Sequence, residues 1–144
     1  MTRAGVAAAL MASTLLIGGC SAATTSASAG PTAAAAPAAA SSLPAAEFAA
    51  AAKLPDTMLL DVRTPSEFAA GHIAGAVNLD VESATFPEQV ATLDPAKNYA
   101  VYCRSGSRSQ AAMTAMGQAG FTHLFDLTGG IGAWQSAGGQ IVTG

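Results

Sequence analysis

The sequence predicts one three-layer α/β/α domain with a mainly parallel sheet over residues 43–144. Two observations carry this. Strand-like runs alternate with helix-like segments along the whole stretch, and two of the runs, TMLL before Asp61 and YAVY before Cys103, are apolar without interruption. An uninterrupted apolar run of strand length belongs to a strand covered on both faces. Alternation with helices is the pattern that places a parallel sheet between two helical layers.

Each element has its own reason. A first helix is expected over 44–54, where Pro44 suits the first helical position and Phe48 lies on the apolar side. Residues 57–62 (TMLLDV) form a strand. Thr64-Pro65-Ser66-Glu67 then spells a capping box, starting a short helix that runs to about residue 70. Residues 76–79 are a strand candidate and 87–93 a helix candidate. The strand over 98–102 (NYAVY) runs straight into Cys103. A helix over 107–119 follows, mostly alanine and methionine in its interior, with Gly117 its weak point and Gly120 its stop signal. Residues 122–127 read as the last strand, and 129–134 as a glycine-led turn into a short helix. No internal repeat is visible.

Charge narrows the partners. Only Arg3 precedes residue 43; after it five basic residues face nine acidic ones, a balance of −4. That balance gives no reason to expect nucleic acid or an anionic membrane surface as a partner. The hydrophobic content of 51% is inflated by alanine before residue 53, and what remains suffices for a small core.

The front end reads as an address. Residues 1–19 carry one early positive charge, an apolar run from Val6 to Ile17, then small residues up to Cys20, the layout of a secretory signal. The apolar run is too short to span a bilayer, and no twin-arginine pair is present. Leu16-Ile17-Gly18-Gly19-Cys20 resembles the bacterial lipobox. That resemblance implies cleavage before a lipidated Cys20, hence export and anchoring to the cell membrane through the lipid, facing the outside or the periplasm. Residues 20–42 read as a disordered tether of Ala, Ser, Pro and Thr, with nothing large enough to bury. As a flexible coil it would span about 25 Å. The two cysteines thus sit in separate contexts with separate jobs, which argues against a disulfide between them.

The chemistry concentrates in Tyr102-Cys103-Arg104-Ser105-Gly106-Ser107-Arg108-Ser109. The cysteine ends a buried strand, where parallel α/β sheets open their crevices. The loop behind it is short, small and polar, and Gly106 permits a tight turn. Its amides can therefore face the sulfur as an anion cradle, with the positive end of the next helix aimed at the same spot. Arg104 and Arg108 add permanent charge. Each of these lowers a thiol's pKa and favours the nucleophilic thiolate. The bland alternative is an inert buried cysteine.

Here the chain resembles the rhodanese family over nearly all of residues 43–144. Asp61-Val62-Arg63, Glu67-Phe68 and Gly71-His72-Ile73-Ala74-Gly75-Ala76 are similar to its first signature, 103–108 to its active-site loop, and Gly129-Gly130-Ile131-Gly132-Ala133-Trp134 to its closing motif. The resemblance implies a sulfurtransferase: Cys103 takes a sulfane sulfur from a small donor such as thiosulfate as a persulfide, and a thiol or cyanide removes it. Loop residues Arg104, Ser105, Gly106, Ser107 and Arg108 would bind the substrate, and no metal or organic cofactor is implied. Phosphatases and arsenate reductases of the same fold place five residues between cysteine and arginine. Here four stand between Cys103 and Arg108, a tighter pocket suited to one sulfur atom. A non-catalytic binding or redox-sensing module is the other alternative, against which stands the retained cysteine.

Blander roles fit the remaining conspicuous residues. Asp61, Arg63 and Glu67 are expected to form an ion-pair network bracing a strand-to-helix turn. His72 is expected to be packed and hydrogen-bonded, His123 has no ligand-spaced neighbours for a metal, and Trp134 is expected in the core.

Overall fold

The structure, a computed structural model, describes residues 40–144. The expected signal segment, Cys20 and most of the expected tether lie outside the described residues. Among the described residues no helix is long and apolar enough to cross a membrane.

Five strands form one parallel sheet: β1 (Ser41–Leu43), β2 (Thr57–Asp61), β3 (Val77–Asn78), β4 (Asn98–Tyr102) and β5 (Leu124–Leu127), in the order β1-β5-β4-β2-β3. Between and after them run α1 (Ala45–Ala51), α2 (Pro65–Ala70), α3 (Phe86–Val90), α4 (Ser107–Gln118) and α5 (Gly130–Ser136). The three-layer α/β class expected from the sequence is the observed one.

The central strand β4 explains where the site sits. Successive strand residues point to opposite faces. Tyr99, Val101 and Cys103 join one core layer with Leu60, Met113 and Met116. Ala100 and Tyr102 join the other with Phe48, Phe125 and Leu127. Cys103 therefore leaves the sheet on the face that α4 covers. At the far end of α4, Gly120 adopts φ +95, its amide bonding to the Gly117 carbonyl and that of Phe121 to Met116, both at 3.1 Å. This closing pattern is what a glycine just beyond the helix permits.

Several boundaries differ from expectation for physical reasons. Pro44 is the N-cap of α1 in extended conformation, not its first helical residue. The third strand is only two residues long and α3 starts at Phe86. Strand β1 was not expected, because Ser41 and Ser42 have the composition of the tether; main-chain pairing with β5 orders them. The capping box at Thr64 is present in both directions, with the Thr64 hydroxyl accepting from the Glu67 amide and the Glu67 carboxylate accepting from the Thr64 amide.

Candidate active site

The loop after β4 wraps the sulfur. Gly106 takes φ +110, a left-handed conformation that turns the chain back on itself and makes it the N-cap of α4. The Gly106 amide then donates to Cys103 Sγ at 3.0 Å. The loop's carbonyls point the other way: Cys103 O accepts from Ile131 N at 2.9 Å, Arg104 O from Gly132 N at 3.4 Å, and Gly106 O from Gln110 N at 3.1 Å. Carbonyls outward and amides inward is the arrangement of an anion cradle.

The back wall of this loop depends on Gly130. A Cβ there would lie 2.5 Å from Cys103 O and from both carbonyl atoms of Arg104, and its φ of +60 disfavours side chains as well. Only a bare backbone lets the start of α5 come close enough to hold the two carbonyls. A cleft of about 340 Å³ opens beside the loop, lined in part by Ser105, Gly106, Ser107, Gln110 and Asp126.

Burial is the largest single influence on the Cys103 thiol and pushes its pKa up, but amide donors at Ser109, Gly106 and Ser105 outweigh it and bring the thiol below its ordinary value. Cys103 is only 1% exposed, so the cradle acts on a sulfur largely shielded from solvent.

The sequence-derived residues separate into groups. Arg104 and Ser105 are exposed on the loop, and Ser107 is exposed at the first position of α4. Arg108 lies in the first turn of α4, and its guanidinium donates to Glu67 through both terminal nitrogens, at 2.7 and 2.9 Å, with Glu82 at 3.3 Å. These carboxylates raise the Arg108 pKa, and the bond from Arg108 brings Glu67 down to about 2. Asp61 and Arg63 do brace the β2–α2 turn: they form a buried ion pair at 2.6 Å, Arg63 also donates to the Gly71 carbonyl at 2.7 Å, and Asn78 donates to the carbonyls of both. The single network expected for Asp61, Arg63 and Glu67 is instead two, because Glu67, in the first turn of α2, faces α4 and is claimed by Arg108.

His72 Nδ1 lies 2.9 Å from the Phe68 carbonyl and its ring stacks on Phe68 at 3.7 Å, the packed role expected of it. Trp134 is half-buried rather than core, edge-on to Phe48 with its indole N–H donating to the Gln140 carbonyl. Two residues to which sequence reasoning assigned no role join the site. Ser109 is fully buried, with its Oγ 3.8 Å from Cys103 Sγ, and Asp126 is buried behind it at 2.7 Å. The available signal for Asp126 was one acid inside the apolar run LFDL.

Comparison with known proteins agrees with this geometry. The rhodanese-like domain model matches residues 44–137. A sulfurtransferase of Allochromatium vinosum is 36% identical over 91 residues, covering 63% of this chain and 83% of its own. The chloroplastic thiosulfate sulfurtransferase 16 of Arabidopsis thaliana is 40% identical over 89 residues, covering 55% of this chain and 74% of its own. Among solved structures, a rhodanese-related protein from Thermoplasma volcanium superimposes with a TM-score of 0.63 at 34% identity, over 72% of this chain and 98% of that one. Three sequence motifs, a cysteine at the end of the central strand and these relatives lead to one family: the chain is a member of the rhodanese-like proteins, with sulfurtransferases among its relatives.

Proposed function

We propose that this protein transfers a sulfane sulfur through a persulfide on Cys103. The observation that carries the reading is the Gly106 amide 3.0 Å from Sγ, in a loop whose Cys103 and Arg104 carbonyls are held by α5 amides. In the first step the Cys103 thiolate attacks the outer sulfur of thiosulfate; a new S–S bond forms, the bond to the sulfonate sulfur breaks, and sulfite leaves with its electron pair. In the second step a thiolate or cyanide attacks the terminal sulfur, and Cys103 returns as the thiolate. No net proton or electron is needed beyond the acceptor's own lone pair. The loop amides offset negative charge on the sulfur in both steps.

Arg104, exposed at the loop and without an ion-pair partner among the described residues, suits an anionic donor at the mouth. Arg108 holds loop to α2 instead of meeting the substrate. The four-residue spacing between Cys103 and Arg108 favours one sulfur atom over a tetrahedral oxyanion. The assay is thiosulfate-dependent thiocyanate formation by the purified protein and by Cys103→Ser. Turnover by the wild type and none by the folded serine variant is expected; equal turnover by both removes the assignment.

Export and anchoring through a lipidated Cys20 complete the reading, supported by the lipobox-like Leu16-Ile17-Gly18-Gly19-Cys20. In the native host the mature protein should partition into detergent, and Cys20→Ala should abolish that. Detergent-independent solubility of the wild type would contradict it.

A further inference from the structure

Asp126 is a buried carboxylate, 1% exposed, that the sulfur chemistry above does not use. Among the described residues it has no cation within ion-pair distance. Its partners are two hydroxyls: Ser42 donates to Oδ1 at 2.6 Å and Ser109 to Oδ2 at 2.7 Å. Ser109 lies between Asp126 and the nucleophile, and its one proton has two acceptors at 2.7 Å, Asp126 Oδ2 and Gly106 O. No proton is left for the sulfur. Ser109 Oγ therefore turns a lone pair toward Cys103, whose S–H donates to it across 3.8 Å.

That orientation favours the thiol, because a hydroxyl that accepts from S–H loses its partner when the sulfur ionises, whereas one that donates would stabilise the thiolate. The amides of the cradle act in the opposite sense. We infer that Asp126 is a positioning residue, which turns the Ser109 hydroxyl away from the sulfur and so opposes the cradle, keeping more of the resting Cys103 protonated than the amides alone would; that proton passes to solvent before the thiolate attacks. The inference deepens the reading of Cys103 as nucleophile and rests on it. On the export reading, a resting thiol also suits an oxidising compartment, since thiolates are the form that oxidises.

Other charges around Cys103 do not supply this effect. Its loop carries Arg104, and α4 carries Arg108, which Glu67 and Glu82 already bind. Asp61 and Arg63, from β2 and the turn after it, neutralise each other. Strand β1 and helix α5 contain no titratable side chain, which leaves Asp126 on β5.

Asp126→Asn tests it, because the surroundings dictate how the amide lies. Gln110 donates to Ser42 at 2.9 Å, so Ser42 keeps its own proton for the Asn oxygen and the Asn N–H faces Ser109. Ser109 then accepts from Asn and is free to donate to the sulfur. Gly106 O keeps its bond from the Gln110 amide, so releasing the hydroxyl leaves no orphaned carbonyl. Iodoacetamide alkylation of the full chain, followed against pH on the Cys103 peptide, reads the thiolate directly. In Asp126→Asn the midpoint should fall by about one pH unit, and alkylation below the parent's midpoint should be about tenfold faster. On a Ser109→Ala background the same substitution should change neither.

An unchanged midpoint in Asp126→Asn overturns the inference. So does an equal fall on both backgrounds, which would mean that the charge acts without Ser109. Should Asp126→Asn not fold, the S–H infrared stretch of the wild type, taken as a difference against Cys103→Ser, decides. A band at neutral pH that moves in Ser109→Ala supports the inference, and no band, or one indifferent to Ser109, overturns it. Neither measurement needs a sulfur donor, so both remain readable if the sulfur-transfer reading fails.

Discussion

Arg108 grips Glu67 with both ends of its guanidinium, at 2.7 and 2.9 Å, joining the first turn of α4 to the first turn of α2. A positive charge at a helix start opposes the helix dipole and needs a carboxylate to hold it there. The pair fixes the end of the loop around Cys103, so the loop's shape depends on a contact 41 positions away in the chain.

Arg108→Ala should lower turnover and thermal stability together, by about 1–2 kcal/mol in unfolding free energy for a partly buried, two-pronged pair. Arg108→Lys should recover only part of either, since an ammonium cannot make the fork. Acid sensitivity follows from Glu67, whose folded pKa of about 2 lies below the unfolded carboxyl's usual value near 4.3. A depressed carboxyl stabilises the fold above its unfolded pKa, and that contribution disappears as pH falls through the folded one. Denaturant melts from about pH 5 to 2 should show this loss in the parent, amounting to roughly 1 kcal/mol after screening, and a smaller one in Glu67→Gln.

Arg104→Ala should leave melting unchanged and raise the KM for thiosulfate, a loss of roughly 1–3 kcal/mol in kcat/KM for one charge-assisted contact. Steady-state kinetics beside a melting curve check it. Unchanged thiosulfate saturation in this variant would reverse the roles given to the two arginines.

Gly130→Ala should be far more damaging than its size suggests. The added methyl would meet three backbone atoms of Cys103 and Arg104 at 2.5 Å, none of which can move without opening the cradle. A cost above about 2 kcal/mol and loss of turnover are expected. Gly75→Ala is the control, with a φ of +84 but nothing within 4 Å of the new methyl, and should cost about 1 kcal/mol with activity retained. Equal melting temperatures for the two variants would show that the close approach does not matter.

The centre of the sheet was legible because burial writes itself into side chains: TMLL and YAVY can only be interior strands, and β4 falls where its run says. The edge was not. Strand β1 is held by main-chain bonds to β5, and Ser41-Ser42-Leu43 carries side chains that a tether would carry too. Cys103, its glycine turn and the closing motif were legible as local patterns. The pairing of Glu67 with Arg108, and the path from Asp126 through Ser109 to Cys103, were not, because each joins residues brought together only by the packing of separate elements. Proximity in sequence pointed Glu67 to Arg63, and the folded chain pairs it elsewhere.

Whether Cys103 itself carries the sulfur is read by an intact mass spectrum of the protein before and after thiosulfate, without any acceptor. A gain of one sulfur atom is expected in the wild type, located on the Cys103 peptide, removed by cyanide, and absent in Cys103→Ser. A wild-type mass unchanged by thiosulfate, or a sulfur gained equally by Cys103→Ser, would contradict it.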